Sequence, residues 1–203
     1  MKWNINDFTR SGFSSLLRPY EDSVNDLTKI TKAFSLAMKA HAGQYRNSGK
    51  IEPHINHPLR VALILTEELR LFDVDLICAA LLHDILEKKM SKQADCKSVL
   101  RSEFGDDVCN IVSTVTRPIV HDSNKTKVDT LEMYFQEIAK GSKSIRYIKL
   151  ADRLDNIRSL KSSFHKYQIN KYKEETLKYL IPIAERTDEK LVLKLSVALY
   201  ELK

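Results

Sequence analysis

The chain has 203 residues, 43% of them hydrophobic and 30% charged, with only five glycines and five prolines; this is too apolar for a disordered chain and poor in sharp-turn residues, so one soluble, helix-rich domain is expected. A net charge of +6 favours an anionic partner, but acids are mixed among the bases and there is no Lys/Arg block, helix-turn-helix pattern or aromatic RNA-binding signature, which weighs against a nucleic-acid face. Three cysteines without a CxxC pair indicate neither a disulfide framework nor a thiolate zinc site, and without a signal-peptide h-region or about 20 consecutive apolar residues a soluble protein in a reducing cytoplasm is expected.

From Ile30 the residues Ala33, Phe34, Ala37, Met38 and His41 recur on one helix face, and the helix is expected to end near His41–Lys50, where Gly43 and Gly49 allow a turn. Pro58 suits the first position of a second helix, continued by Val61, Ala62, Ile64, Leu65 and Leu69, with His57 at its mouth. Asp75 can cap a third helix, an apolar run from Leu76 to Leu82 that continues through Ile85 and Leu86 and is interrupted by His83 and Asp84. Further helices read at about 95–104, 106–116, 126–140, 144–160, 170–186 and 188–202, and no alternating strand appears. The expected fold is all-α. Residues 117–129, polar and flanked by helices, read as a loop over a site.

An imidazole and a carboxylate inside an apolar helix need compensation, because burying an unpartnered polar group costs a few kcal/mol, and a bare carboxylate more. A second polar set lies downstream. At about 100° per residue, Lys149, Asp152, Asn156 and Ser159 share one narrow face of a helix, opposite Leu150, Leu154 and Ile157. Alone, such a stripe reads as a solvent face, and a single His as a hydrogen-bonded core or surface residue. The adjacent His83-Asp84 pair, with His57 upstream and Asp152 downstream, shifts the balance: two His and two Asp can form a ligand set for one divalent metal.

The order His57, His83-Asp84, Asp152 resembles the HD metal-dependent phosphohydrolase superfamily. The strings "AHAGQYRNSGKIEPHINHPLRVA", "AALLHDILE", "EFGDDV", "VTR", "IKLADRLDNIRSL" and "ETLKYLIPIAER" together resemble the (p)ppGpp hydrolase domain of RelA/SpoT homologues. The resemblance runs from about residue 28 to 187. It implies a helical, Mn2+-binding domain that removes pyrophosphate from the 3′ position of guanosine tetra- or pentaphosphate, a small-molecule substrate. By resemblance, His57, His83, Asp84 and Asp152 are the metal ligands, Glu87 orients or deprotonates the attacking water, and Asn156 hydrogen-bonds the water or scissile phosphate. Arg46 resembles an arginine that stacks on the guanine base, and Ser48, Lys149 and Ser159 are candidate nucleotide contacts.

The chain departs from the pattern at several places. Lys88 stands where the family usually has an acid after Glu87, Asn47 where a lysine is common, His54 where a tyrosine is common, and Asp155 where a histidine is frequent. The expectation is hydrolysis retained but altered. Two alternatives stay open: a related phosphohydrolase acting on an adenosine alarmone or NADPH, and an alarmone-binding regulator without turnover. Long bifunctional relatives continue into a synthetase domain that the remaining residues have no room for, so a single-domain small alarmone hydrolase is expected, at residues 28–203. Residues 1–27 form an extension, with Trp3, Phe8, Phe13, Leu16 and Leu17 expected to pack back onto the core.

Overall fold

The computed structural model describes residues 5–46, 52–87, 93–118, 127–160 and 166–202. Among them the regular structure is helical, and the only β-type pairing is an isolated antiparallel bridge between Tyr45 and Pro53. The helices are α1 (Asp7–Leu17), α2 (Val24–Ala40), α3 (Asn56–Leu63), α4 (Val74–Leu82), α5 (Gln93–Phe104), α6 (Asp106–Val115), α7 (Lys127–Lys140), α8 (Lys143–Leu160), α9 (Lys166–Glu175), α10 (Ile181–Glu185) and α11 (Glu189–Glu201). A 3₁₀ turn follows α1, and wider π turns follow α3 (Ile64–Glu68) and α9 (Thr176–Leu180). Trp3, Asn47, Ser48, Lys88 and positions 119–126 of the expected loop lie outside the described residues. The chain divides into two compact units, Met1–Ser113 and Thr114–Lys203.

In the first unit α4 packs on α2 and α3, and α1 on α3. All seven residues from Leu76 to Leu82 are buried, so the apolar run is the unit's central element. Helix α1 precedes the first helix expected from periodicity, which itself starts at Val24 rather than Ile30. A capping box builds α1: the Asn6 side chain accepts from Thr9 N at 2.9 Å, and Thr9 Oγ1 accepts from Asn6 N at 3.1 Å. Gly12 lets α1 approach α3 closely, since a Cβ there would stand 3.2 Å from a Leu59 methyl. Phe13 stacks on Phe34 with ring centroids 3.9 Å apart, and Leu16 is fully buried.

Two helix starts differ from the expected ones. Asp73, not Asp75, caps α4 by accepting from Leu76 N at 2.7 Å, while Asp75 takes the Lys29 ammonium at 2.5 Å. Helix α3 opens at Asn56, which places Pro58 third rather than first; the first-turn N–H groups have no helical partner, so proline is tolerated there.

In the second unit α8 packs against α7, α10 and α11. It is buried on nearly all faces, including Lys149, Asp152, Arg153 and Asp155. Of the polar stripe, Lys149 and Asp152 are interior and Asn156 and Ser159 half-buried, and the buried charges need partners. Arg153 Nη2 donates to Glu175 Oε2 at 3.0 Å, and Arg117 Nη2 to the other Glu175 oxygen at 3.2 Å.

Candidate metal centre

The α-helix of the "AALLHDILE" stretch ends at Leu82, with His83 as its cap residue, and the chain continues in tight turns: Ile85 N donates to Leu82 O and Glu87 N to Asp84 O, both at 3.1 Å. His83 and Asp84 thus stand at the end of a rigid apolar helix rather than within it. His83 Nδ1 lies 2.8 Å from the Ala80 carbonyl. A carbonyl accepts only, so this bond keeps a hydrogen on Nδ1 and makes the buried Nε2, beside Asp84, the ring atom that could ligate a metal.

His57 sits in the first turn of α3, beside a buried polar network that ties this turn to α1. Thr9 Oγ1 contacts Asn56 Oδ1 at 2.6 Å, and Asn56 Nδ2 donates to Asn6 Oδ1 at 3.2 Å. The His57 and His83 rings meet edge to face with centroids 5.0 Å apart, and each offers a ring nitrogen within 4.8 Å of the other's. Between them lies Asp84. Its Oδ1 is 3.1 Å from His83 Nε2, its Oδ2 3.6 Å from His57 Nε2 and 3.1 Å from His54 Nε2. Burial by itself would raise the Asp84 pKa, but the adjacent His83, hydrogen bonds from His54 and His83, and the nearby His57 outweigh it and hold the carboxyl well below its ordinary value. His57, His83 and Asp84 can hold a divalent cation that takes mixed imidazole and carboxylate ligands.

In the second unit, α8 fixes the other candidate carboxylate. Lys149, one turn before, donates to Asp152 Oδ2 at 2.9 Å, and Asn156, one turn after, donates to Asp152 Oδ1 at 2.5 Å. Both oxygens are held, so the carboxylate plane is set by its own helix. Lys149 Nζ also lies 5.4 Å from the Tyr134 ring centroid.

The remaining expected residues are placed less tightly. Glu87 is exposed, three residues beyond Asp84 on the turn. Arg46 is half-buried beside the Tyr45–Pro53 bridge, with its backbone N–H on the Glu52 carbonyl at 3.0 Å. Ser159 is half-buried near the end of α8. Two residues were not among the candidates: His54, against Asp84, and His41, whose ring meets His54 at a tilt with centroids 4.4 Å apart. Only the departure from tyrosine at position 54 signalled either one.

A family model described as HD domain matches residues 33–189. The chain belongs to the HD-domain family. As a member it is a metal-dependent phosphohydrolase with the family's all-α fold. This HD-domain chain is 33% identical over 132 residues to the guanosine-3′,5′-bis(diphosphate) 3′-pyrophosphohydrolase MESH1 of Drosophila melanogaster, a match covering 65% of this chain and 69% of that protein. It is 34% identical over 164 residues to the bifunctional (p)ppGpp synthase/hydrolase SpoT of Escherichia coli, which covers 80% of this chain and 22% of SpoT. The HD-domain chain thus spans about a fifth of that long relative. A solved structure described as a metazoan ortholog of SpoT that hydrolyzes ppGpp superposes with a TM-score of 0.71 at 28% identity, covering 85% of this chain and 94% of that one.

Proposed function

We propose that this HD-domain enzyme is a Mn2+-dependent guanosine-3′,5′-bis(diphosphate) 3′-pyrophosphohydrolase, converting ppGpp or pppGpp to GDP or GTP plus pyrophosphate. The observation that carries the reading is the buried imidazole–carboxylate nest of His57, His83 and Asp84, in a chain that spans more than two thirds of a relative with that activity. Residues 28–203 are the hydrolase domain and residues 1–27 its extension.

His57, His83, Asp84 and Asp152 would hold the metal, a mixed nitrogen and oxygen set that suits Mn2+. When bound, it supplies positive charge that polarises the phosphoryl group and lowers the pKa of the attacking water. Water attacks the phosphorus on the 3′ oxygen and the 3′ O–P bond breaks, leaving a 3′-hydroxyl and free pyrophosphate. Glu87, exposed on the turn after Asp84, takes the water's proton or orients it. Asn156 and Lys149, already on the two Asp152 oxygens, keep that carboxylate oriented. Each has N–H groups to share with a phosphate. Arg46 stacks on the base, and Ser48 and Ser159 contact the nucleotide. A reducing cytoplasm suits Cys78, Cys96 and Cys109, none of which is in a disulfide among the described residues.

A substrate panel of ppGpp, pppGpp, an adenosine alarmone and NADPH tests the reading, with phosphate and pyrophosphate quantified separately, with and without chelator. The expected result is one pyrophosphate per guanosine nucleotide consumed, abolished by chelation and restored by Mn2+. Preferential orthophosphate release, or faster turnover of NADPH or the adenosine nucleotide, would assign the enzyme elsewhere. In the same assay Lys88→Asp is expected to change a rate that the parent already shows. A parent without turnover, rescued by that change, would mark the chain as an impaired binder.

A further inference from the structure

His54 has no part in the ligand set above, yet the first unit builds a support around it. Its backbone N–H donates to Gln44 O at 3.0 Å, its carbonyl accepts from His57 N at 3.0 Å, and Gln44 N donates to His41 O at 3.0 Å. The Tyr45–Pro53 bridge and the Arg46 N to Glu52 O bond close the same reversal of the chain. Its ring lies on His41, tilted by 33°. His41 is fixed in turn, with Nδ1 3.0 Å from Gln44 Oε1, while Gln44 Nε2 donates to Ala40 O at 3.1 Å. Backbone and ring packing together aim one atom, His54 Nε2, at Asp84 Oδ2 at 3.1 Å.

An ionised carboxylate only accepts hydrogen bonds, so at this distance His54 Nε2 carries the hydrogen and donates. A nitrogen in that state has no lone pair for a metal. Each Asp84 oxygen thus meets one imidazole Nε2 at 3.1 Å, but the His83 ring already has its Nδ1 hydrogen on the Ala80 carbonyl, so His83 can yield Nε2 to a cation while His54 stays on Oδ2. We propose that His54 is a positioning residue that holds Asp84 Oδ2 by a hydrogen bond, so that the carboxylate offers Oδ1, beside His83, to the cation. The inference rests on the metal-site reading above and adds a residue to it. Hydrogen-bond partners of ligating carboxylates commonly change metal affinity by about 10- to 100-fold when removed, because the ligand then has to be ordered at the moment of binding.

The test is Mn2+ titration of the chelator-stripped full chain, with free Mn2+ read from its solution EPR signal, for the parent, His54→Phe, His54→Gln and Asp84→Ala. Near-ultraviolet circular dichroism checks packing. His54→Phe keeps a ring for His41 but has no donor, and is expected to weaken Mn2+ binding by about 10- to 100-fold. His54→Gln places an amide N–H near the same point and is expected to bind close to the parent, a rescue that a purely structural role would not give. Parent-like affinity in His54→Phe overturns the proposal. So does a His54→Gln variant as weak as His54→Phe, which would make the imidazole itself, as ligand or packing unit, the requirement. Parent-like affinity in Asp84→Ala would instead defeat the metal-site reading on which the proposal rests.

Discussion

Asp84→Ala is expected to slow ppGpp hydrolysis at saturating Mn2+ by about a thousandfold or more, with little change in thermal stability in metal-free buffer. The size follows from the several kcal/mol of transition-state charge stabilisation that a bound cation contributes, about 4 kcal/mol corresponding to three orders of magnitude in rate. The fold survives because the helix that leads into the site is packed by its apolar residues, Leu76 to Leu82, all buried. His83 keeps its Nδ1 bond to the Ala80 carbonyl, and His57 stays in the first turn of α3. Initial rates of pyrophosphate release, with melting curves on the same samples, check both halves of the statement. Equal rates in parent and variant would remove Asp84 from the chemistry.

The second large effect is on stability and lies in the Thr114–Lys203 unit. Glu175→Ala is expected to destabilise the protein by about 3–5 kcal/mol, because it leaves the buried Arg153 guanidinium without its carboxylate. That is a large part of the 5–15 kcal/mol typical of a folded domain. Among the described residues Arg153 would retain the Tyr172 ring, whose centroid is 4.6 Å from its Cζ. Replacing both partners, as Arg153→Leu with Glu175→Leu, is expected to recover most of the loss, since no charge then remains buried. Burial alone would raise the Glu175 pKa, but the Arg153 hydrogen bond and charge, with Arg117, hold it below its ordinary 4.5. The pair's contribution is therefore complete above about pH 4.5 and is lost as the pH falls through the lower folded value. Urea unfolding at several pH values should show a steeper acid decline in the parent than in Glu175→Ala. A variant as stable as the parent at pH 7 would show the pair to be dispensable.

The helices were legible where apolar spacing carries them, and the metal-ligand candidates where the motif order does. What escaped depends on contacts between residues distant in sequence. The polar stripe of Lys149, Asp152, Asn156 and Ser159 was legible on α8, but the burial of Arg153 and Asp155 on other faces of the same helix was not. Arg153, Glu175 and Arg117 are similarly separated, so their pairing left no local signature. Asp73 and Asp75 are equally good caps on paper. The Lys29 ammonium, brought up by α2, occupies one and leaves the other. Helix α1 did leave a signal: Asn6 and Thr9 have capping-box spacing, in a stretch too short to show a convincing period. His54 reaches Asp84 because the chain reverses at Gly43, which adopts φ +73° after α2, and returns through the Tyr45–Pro53 bridge. Thirty residues separate the pair, and no periodicity encodes that.

One measurement bears on all of this at once: an anomalous difference map at the manganese edge from crystals soaked in Mn2+. A single peak within about 2.0–2.3 Å of His57 Nε2, His83 Nε2 and an oxygen from each of Asp84 and Asp152 is the predicted result. No peak there, or one held by other side chains while ppGpp is still hydrolysed, would contradict it.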